Sequence, residues 1–222
     1  MIIAERKPVN ELLEMISGVK KLLVLGCRGC VAICSAGGDK EVGIISAALR
    51  LGRSRAGEPI EIDEATLIRQ CDPEYLEPLP EMAKGYDAVL STACGVGVNF
   101  IADRCEGVNV LPGLNTTFYG ANLSSGEWIE MCAGCGSCVL HLTGGLCPVA
   151  RCAKSLSNGP CGGSTGGKCE INPTVPCVWH RIYDKLMDRK EEERLNEIMP
   201  IRDWTTAGHG GPRRRLREDL LP

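Results

Sequence analysis

Twelve of the fourteen cysteines fall into two spaced constellations, and thiols at such spacings do metal chemistry. The first is GCRGCVAIC, a C-x2-C-x3-C run of Cys27, Cys30 and Cys34. Three thiolates this close can meet one iron–sulfur cluster, and a fourth ligand must come from elsewhere. Cys94, in STACGVG, is the preferred fourth, because it follows a predicted strand and glycines beside it let the backbone approach a cluster and donate to its sulfurs. Cys71 and Cys105 compete for that place, though each also reads as a small buried core residue. A thioredoxin-like dithiol of Cys27 and Cys30 would not need Cys34, and structural zinc is the other rival.

The second constellation, MCAGCGSC, places Cys132, Cys135 and Cys138 as C-x2-C-x2-C, with Cys147-Pro148 eight residues on. This is close to the ferredoxin pattern. Cys152, Cys161, Cys169 and Cys177 follow at intervals of eight or nine positions. Eight thiols suit two four-ligand sites, or one cluster plus zinc, and the spacing leaves the partition open. Two lookalikes fail. G-G-S-T-G-G-K-C at 162–169 has a cysteine where a phosphate loop needs a hydroxyl, and no strand precedes it. Gly95-x-Gly97 has Phe100 at the third glycine position of a dinucleotide fingerprint. His141 and His180 lie near cysteines, and His209 sits in the tail; none joins an acid or a nucleophile. The chain reads as an electron carrier without a bond-making site of its own.

These thiols must be available. The opening MIIAERKPVNELLEMISG is charged at Glu5, Arg6 and Lys7 and lacks a signal-peptide core, and no apolar run spans a membrane. The expectation is a cytoplasmic chain whose cysteines bind metal and form no disulfides. A net charge of −3 argues against nucleic acid, with a short basic tail at Arg213, Arg214 and Arg215 as the exception.

The elements that would position the first constellation alternate. Asn10 is placed as the cap of a helix bearing Leu12, Leu13 and Ile16. KLLVL at 21–25 reads as a buried parallel strand, with further strands over 65–68, 86–90 and 108–111. Helices are expected over 41–51 and 98–104, and one over 74–84 is weakened by Pro78 and Pro80. The fold class is α/β: a right-handed parallel-sheet domain at 1–119, then a cysteine-rich, loop-dominated metal-binding domain at 120–222. The latter ends in a long helix over 178–199, with Trp179, Ile182, Tyr183 and Leu186 on one face. With 14 of the chain's 27 glycines and few periodic apolar positions, its loops need thiolate–metal bonds to hold them.

The segment MCAGCGSCVLHLTGGLCPVARCAKSLSNGPCGGSTGGKCEI with PCVWHRIYDKL resembles the cysteine-rich C-terminal module of methylenetetrahydrofolate reductases. With GCRGCVAICSAGGDKE and STACGVGVNFIAD upstream, the chain is similar to the MetV-type small subunits found beside the flavin-containing reductase in acetogens and related anaerobes. The resemblance implies an oxidoreductase subunit without catalytic residues, in one-carbon metabolism of the Wood–Ljungdahl type. It would carry two or three 4Fe–4S clusters, with zinc as a further candidate. Electrons would pass to a TIM-barrel flavoprotein that alone holds flavin and folate. Cys27, Cys30, Cys34 and Cys94 would hold one cluster, and cysteines from Cys132 to Cys177 the rest. The helix from Val178 and the basic tail are candidate partner contacts. A zinc-stapled structural or assembly subunit and a free dithiol enzyme are the competing classes.

Overall fold

The apolar run at 21–25 becomes β2 (Lys21–Cys27) in a computed structural model that describes residues 1–207, 213, 214, 216, 217 and 219. The expectations placed on His209 and Arg215 lie outside these residues. β2 is central in a parallel sheet ordered β3-β2-β4-β5, with β3 Glu61–Leu67, β4 Ala88–Ser91 and β5 Val110–Pro112. Leu22 and Val24 face one layer, with Leu12 of α1 (Val9–Met15), its C-cap Ile16, and Val42, Ile45 and Leu49 of α3 (Asp39–Arg55). Leu23 and Leu25 face the other, with Leu76 of α4 (Pro73–Leu76), Leu79 of α5 (Leu79–Met82) and Ile101 of α6 (Gly95–Arg104). Burial on both faces is why β2 reads as an unbroken apolar run. Between β2 and α3 the chain makes a single turn, α2 (Cys30–Ile33).

Several expectations need correction. Pro8, not Asn10, is the N-cap of α1, and its carbonyl accepts from Leu12 N at 3.1 Å. Pro78 and Pro80 divide the expected helix over 74–84 into α4 and α5, as proline's missing N–H dictates. A second, three-stranded sheet was not legible: β1 (Ile2–Arg6) pairs antiparallel with β6 (Leu114–Ser124), which pairs with β7 (Glu127–Cys132). The chain divides into two compact units, Met1–Ile129 and Glu130–Pro222. Pairing of β6 with β1 keeps β6 in the first unit, so the division falls ten residues beyond 119.

In the second unit the apolar core is small: Leu146, Val178, Trp179, Ile182 and Leu186 with Cys177. The terminal helix, α8 (Val178–Asp188), is shorter than the periodicity predicts. Lys190 turns left-handed (φ 56°), and the N–H groups of Lys190 and Glu191 donate to the carbonyls of Met187 and Leu186. That is a Schellman ending, after which a 3-10 turn, Glu192–Asn196, follows. Tyr183 is also misplaced by the periodicity. It is half exposed, on the flank of the buried stripe of Trp179, Ile182 and Leu186. Among the described residues no helix is long and apolar enough to cross a membrane.

Candidate metal centres

All fourteen cysteines are free. In the first unit the parallel sheet delivers them to one edge. Cys27 is the last residue of β2, and Cys94 lies three residues past β4, in register with β2 through Leu25 and Ser91. Cys27, Cys34 and Cys94 share one buried cluster with Val31, Ala93 and Leu114, and Cys30 at the start of α2 is half-buried. Ligands in open α/β sheets gather at this carboxyl edge. Cys94 is the N-cap of α6, so the positive end of a ten-residue helix stands beside it, where anionic charge is stabilised.

The edge is tightly built. Gly37 O accepts from Cys27 N at 3.0 Å and from Thr92 Oγ1 at 3.0 Å, which clasps the cysteine loop to the exit of β4. Only glycine fits at 37, since a Cβ there would lie 1.8 Å from Thr92 O. Arg28 and Asp39 pair across the loop with two bonds of 3.0 and 3.1 Å. The guanidinium holds the Asp39 carboxyl below its ordinary range.

Individual thiols differ. Cys34 Sγ–H donates to Ala4 O (3.7 Å) and Val31 O (3.6 Å), and burial pushes this thiol up. Cys34 also lines an open cleft of about 740 Å³ with Ile3, Arg6, Phe118 and Trp128. Cys71 lies four residues past β3 and Cys105 is buried in the α4–α6 layer, in a different core cluster from the edge thiols. Gln70, which the sequence did not single out, is fully buried. Its amide donates to Leu25 O and Gly26 O (both 2.9 Å) and accepts from Ser91 Oγ (2.5 Å). No local spacing announces that role; only the strand order does.

In the second unit, left-handed Gly134 (φ 62°) and Gly136 (φ 77°) turn the loop carrying Cys132, Cys135 and Cys138. Backbone N–H groups point at sulfur: Gly134 N to Cys132 Sγ (3.4 Å) and Ala150 N to Cys147 Sγ (3.5 Å), at the cap of α7 (Pro148–Arg151). Burial pushes the Cys135 thiol up, but Arg202, donating to its sulfur at 2.6 Å, brings it below the ordinary value. Thr206 Oγ1 donates to Cys135 O at 2.8 Å, so residues 202–206 close over this loop. Hydrogen bonding by the Asn172 backbone likewise holds Cys169 down.

Cys152, Cys161, Cys169 and Cys177 line one small cavity of about 20 Å³ with Ile171 and Trp179. Among the described residues no three His, Cys, Asp or Glu side chains stand close enough to hold a single ion. His141 lies in a 3-10 turn (Leu140–Leu142) and His180 is an exposed residue of α8. The donor set fits clusters in kind: free thiols, N–H donors aimed at sulfur, and gathering of distant cysteines at one sheet edge.

A parallel α/β unit with thiols at its carboxyl edge, joined to a cysteine-rich unit of loops, is thus the class of protein defined by fold and site. Residues 111–205 match the family described as methylene-tetrahydrofolate reductase C terminal. The match takes in every cysteine of the second constellation and less than half of the chain; Cys27 to Cys94 lie outside it. No curated protein and no solved structure matches the chain.

Proposed function

We propose that this chain is an iron–sulfur electron-transfer subunit, of the MetV type, in a methylenetetrahydrofolate reductase. It acts in the cytoplasm and delivers electrons to the flavin of a TIM-barrel catalytic subunit. The observation that carries the reading is the gathering of thiols from separate strands at one sheet edge, next to the family match over 111–205. Fourteen free thiols suit the chain to holding clusters that carry electrons.

Bound 4Fe–4S clusters would supply one-electron carriers whose potentials respond to hydrogen bonds and burial. The chain's own residues supply those settings. Thiols at the β2 and β4 exits would hold one cluster out of bulk water, and the α6 N-terminus would offset its negative charge. In the second unit Gly134 N, Ala150 N and the Arg202 guanidinium donate to sulfur, which raises a cluster's potential.

A second reading, a zinc-stapled structural subunit, has one observation in its favour. Cys152, Cys161, Cys169 and Cys177 line a cavity of about 20 Å³, about the size of one water, so a single ion would need these thiols to draw together and a cluster would need a larger rearrangement. Anaerobic purification of the full chain separates the two. Iron and sulfide in near-equal amounts, with visible absorbance that dithionite bleaches, are expected, and the reduced chain should reduce the flavin of the partner subunit. Folded, colourless protein holding zinc alone would overturn electron transfer in favour of the second reading.

A further inference from the structure

We propose that Cys71, just past β3, is the fourth ligand of the sheet-edge centre beside Cys27, Cys30 and Cys94, and that Cys34 is not a ligand. The assignment rests on the reading of that edge as a metal centre.

Strand order is the first argument. β2 runs between β3 and β4, with Cys27 opposite Leu67 in the parallel register. Cys71 follows β3 by four residues and Cys94 follows β4 by three. The exits of β3 and β4 are two strand spacings apart, about 10 Å. Cys27 is therefore flanked on both sides by a cysteine leaving a neighbouring strand. This juxtaposition is invisible in sequence, where 44 residues separate Cys27 from Cys71.

Cys71 is also held there. Its neighbour Gln70 is pinned at full burial to β2 through Leu25 O and Gly26 O and to the last residue of β4 through Ser91. Ser91 Oγ in turn accepts from Ala93 N at 3.2 Å, next to Cys94. A Cβ at Gly97 would come within 2.9 Å of Gln70 Cβ and 2.8 Å of Ala93 Cβ, so α6 packs directly on the latch. One buried amide thus sets the backbone beside three of the four proposed ligands.

Cys34 packs in the same buried cluster as Cys27 and Cys94, but its hydrogen bonds point away from them. Its S–H donates to Ala4 O and Val31 O. Two carbonyl acceptors suit a protonated thiol and would repel the thiolate that a metal requires. The Cys34 thiol is directed at β1 and at its own turn, α2.

Anaerobically purified full-length chain provides the test, by iron and zinc content and by the EPR spectrum of the reduced protein. Cys71→Ser changes an exposed residue, and Cys94→Ser and Cys34→Ala are made alongside. Cys71→Ser is expected to lose one centre's metal to the same extent as Cys94→Ser, with the corresponding EPR signal, while Cys34→Ala keeps both. Full metal in Cys71→Ser, or equal loss in Cys34→Ala, overturns the assignment. A readout without variants guards against misfolding. Alkylation of the unmodified protein should spare Cys71 until a chelator is added; equal labelling before and after also overturns it. Unmodified protein with zinc and no iron would sink the electron-transfer reading while leaving the ligand comparison intact, and protein without metal would sink both.

Discussion

Gln70 is where the first unit concentrates polar contacts. It satisfies two backbone carbonyls and a serine hydroxyl with no water access. Gln70→Leu fills the volume but takes the side-chain donor from Gly26 O and the acceptor from the Ser91 hydroxyl, while Leu25 O keeps Thr92 N (2.9 Å), at about 1–3 kcal/mol for each group left stranded. Denaturant unfolding should show a clearly lowered midpoint, and an unchanged midpoint would remove the latch from the account. Arg202 holds an analogous place over Cys135 in the second unit. Loss of a guanidinium that donates to sulfur withdraws positive charge from the proposed cluster. A redox titration of Arg202→Met should give a more negative potential, and Arg202→Lys should recover part of the shift.

At the scale of elements, much was legible and some was not. The run at 21–25, the helical spacing of Val42, Ile45 and Leu49, and the thiols at strand ends all announced an α/β layer, because each signal is local and periodic. The β1–β6–β7 sheet announced nothing: β1 is five residues long, its partner lies over a hundred residues away, and β6 shows no regular alternation of buried and exposed positions. Tyr183 shows the limit of periodicity, which finds a stripe but not its edge. Ile182→Ala should destabilise the second unit by about 2–5 kcal/mol, since the side chain has no exposed surface. Tyr183→Ser should stay within about 0.5 kcal/mol. Equal costs would return Tyr183 to the packed face. Acid sensitivity also belongs to the elements. The Asp87 carboxylate accepts from Lys20 N and Lys21 N (both 2.8 Å) and joins the start of β2 to the segment before β4. Those N–H groups, Lys21 first, lower its pKa, so its contribution is complete above the ordinary aspartate range and is lost as pH falls through the folded value. Asp87→Asn should flatten that part of the pH–stability curve near its acid end; an unaltered curve would count against the tie.

Across the whole molecule the two units differ in what holds them. The first has two core layers around its sheet, whereas among the described residues the second has one cluster of six buried residues, one of them a cysteine, and eight thiols outside its helices. Metal removal should therefore act unevenly. Limited proteolysis after chelation is expected to degrade residues 130–222 and leave a fragment near 1–129; equal resistance of both units would show that thiolate bonds do not hold the second. The ferredoxin-like spacing hinted at this dependence, but the partition of the eight thiols was beyond it.

The strand order β3-β2-β4 carries a consequence for biogenesis. During synthesis Cys27 and Cys30 leave the ribosome well before Cys94, and the sheet edge cannot exist until β4 has docked beside β2. On the proposed reading, loading of that edge would therefore wait for tertiary structure. The second constellation spans only Cys132 to Cys177, so its short loops can close around metal while the chain is still collapsing. One protein would then be matured in two stages under opposite rules, one template-first and one metal-first.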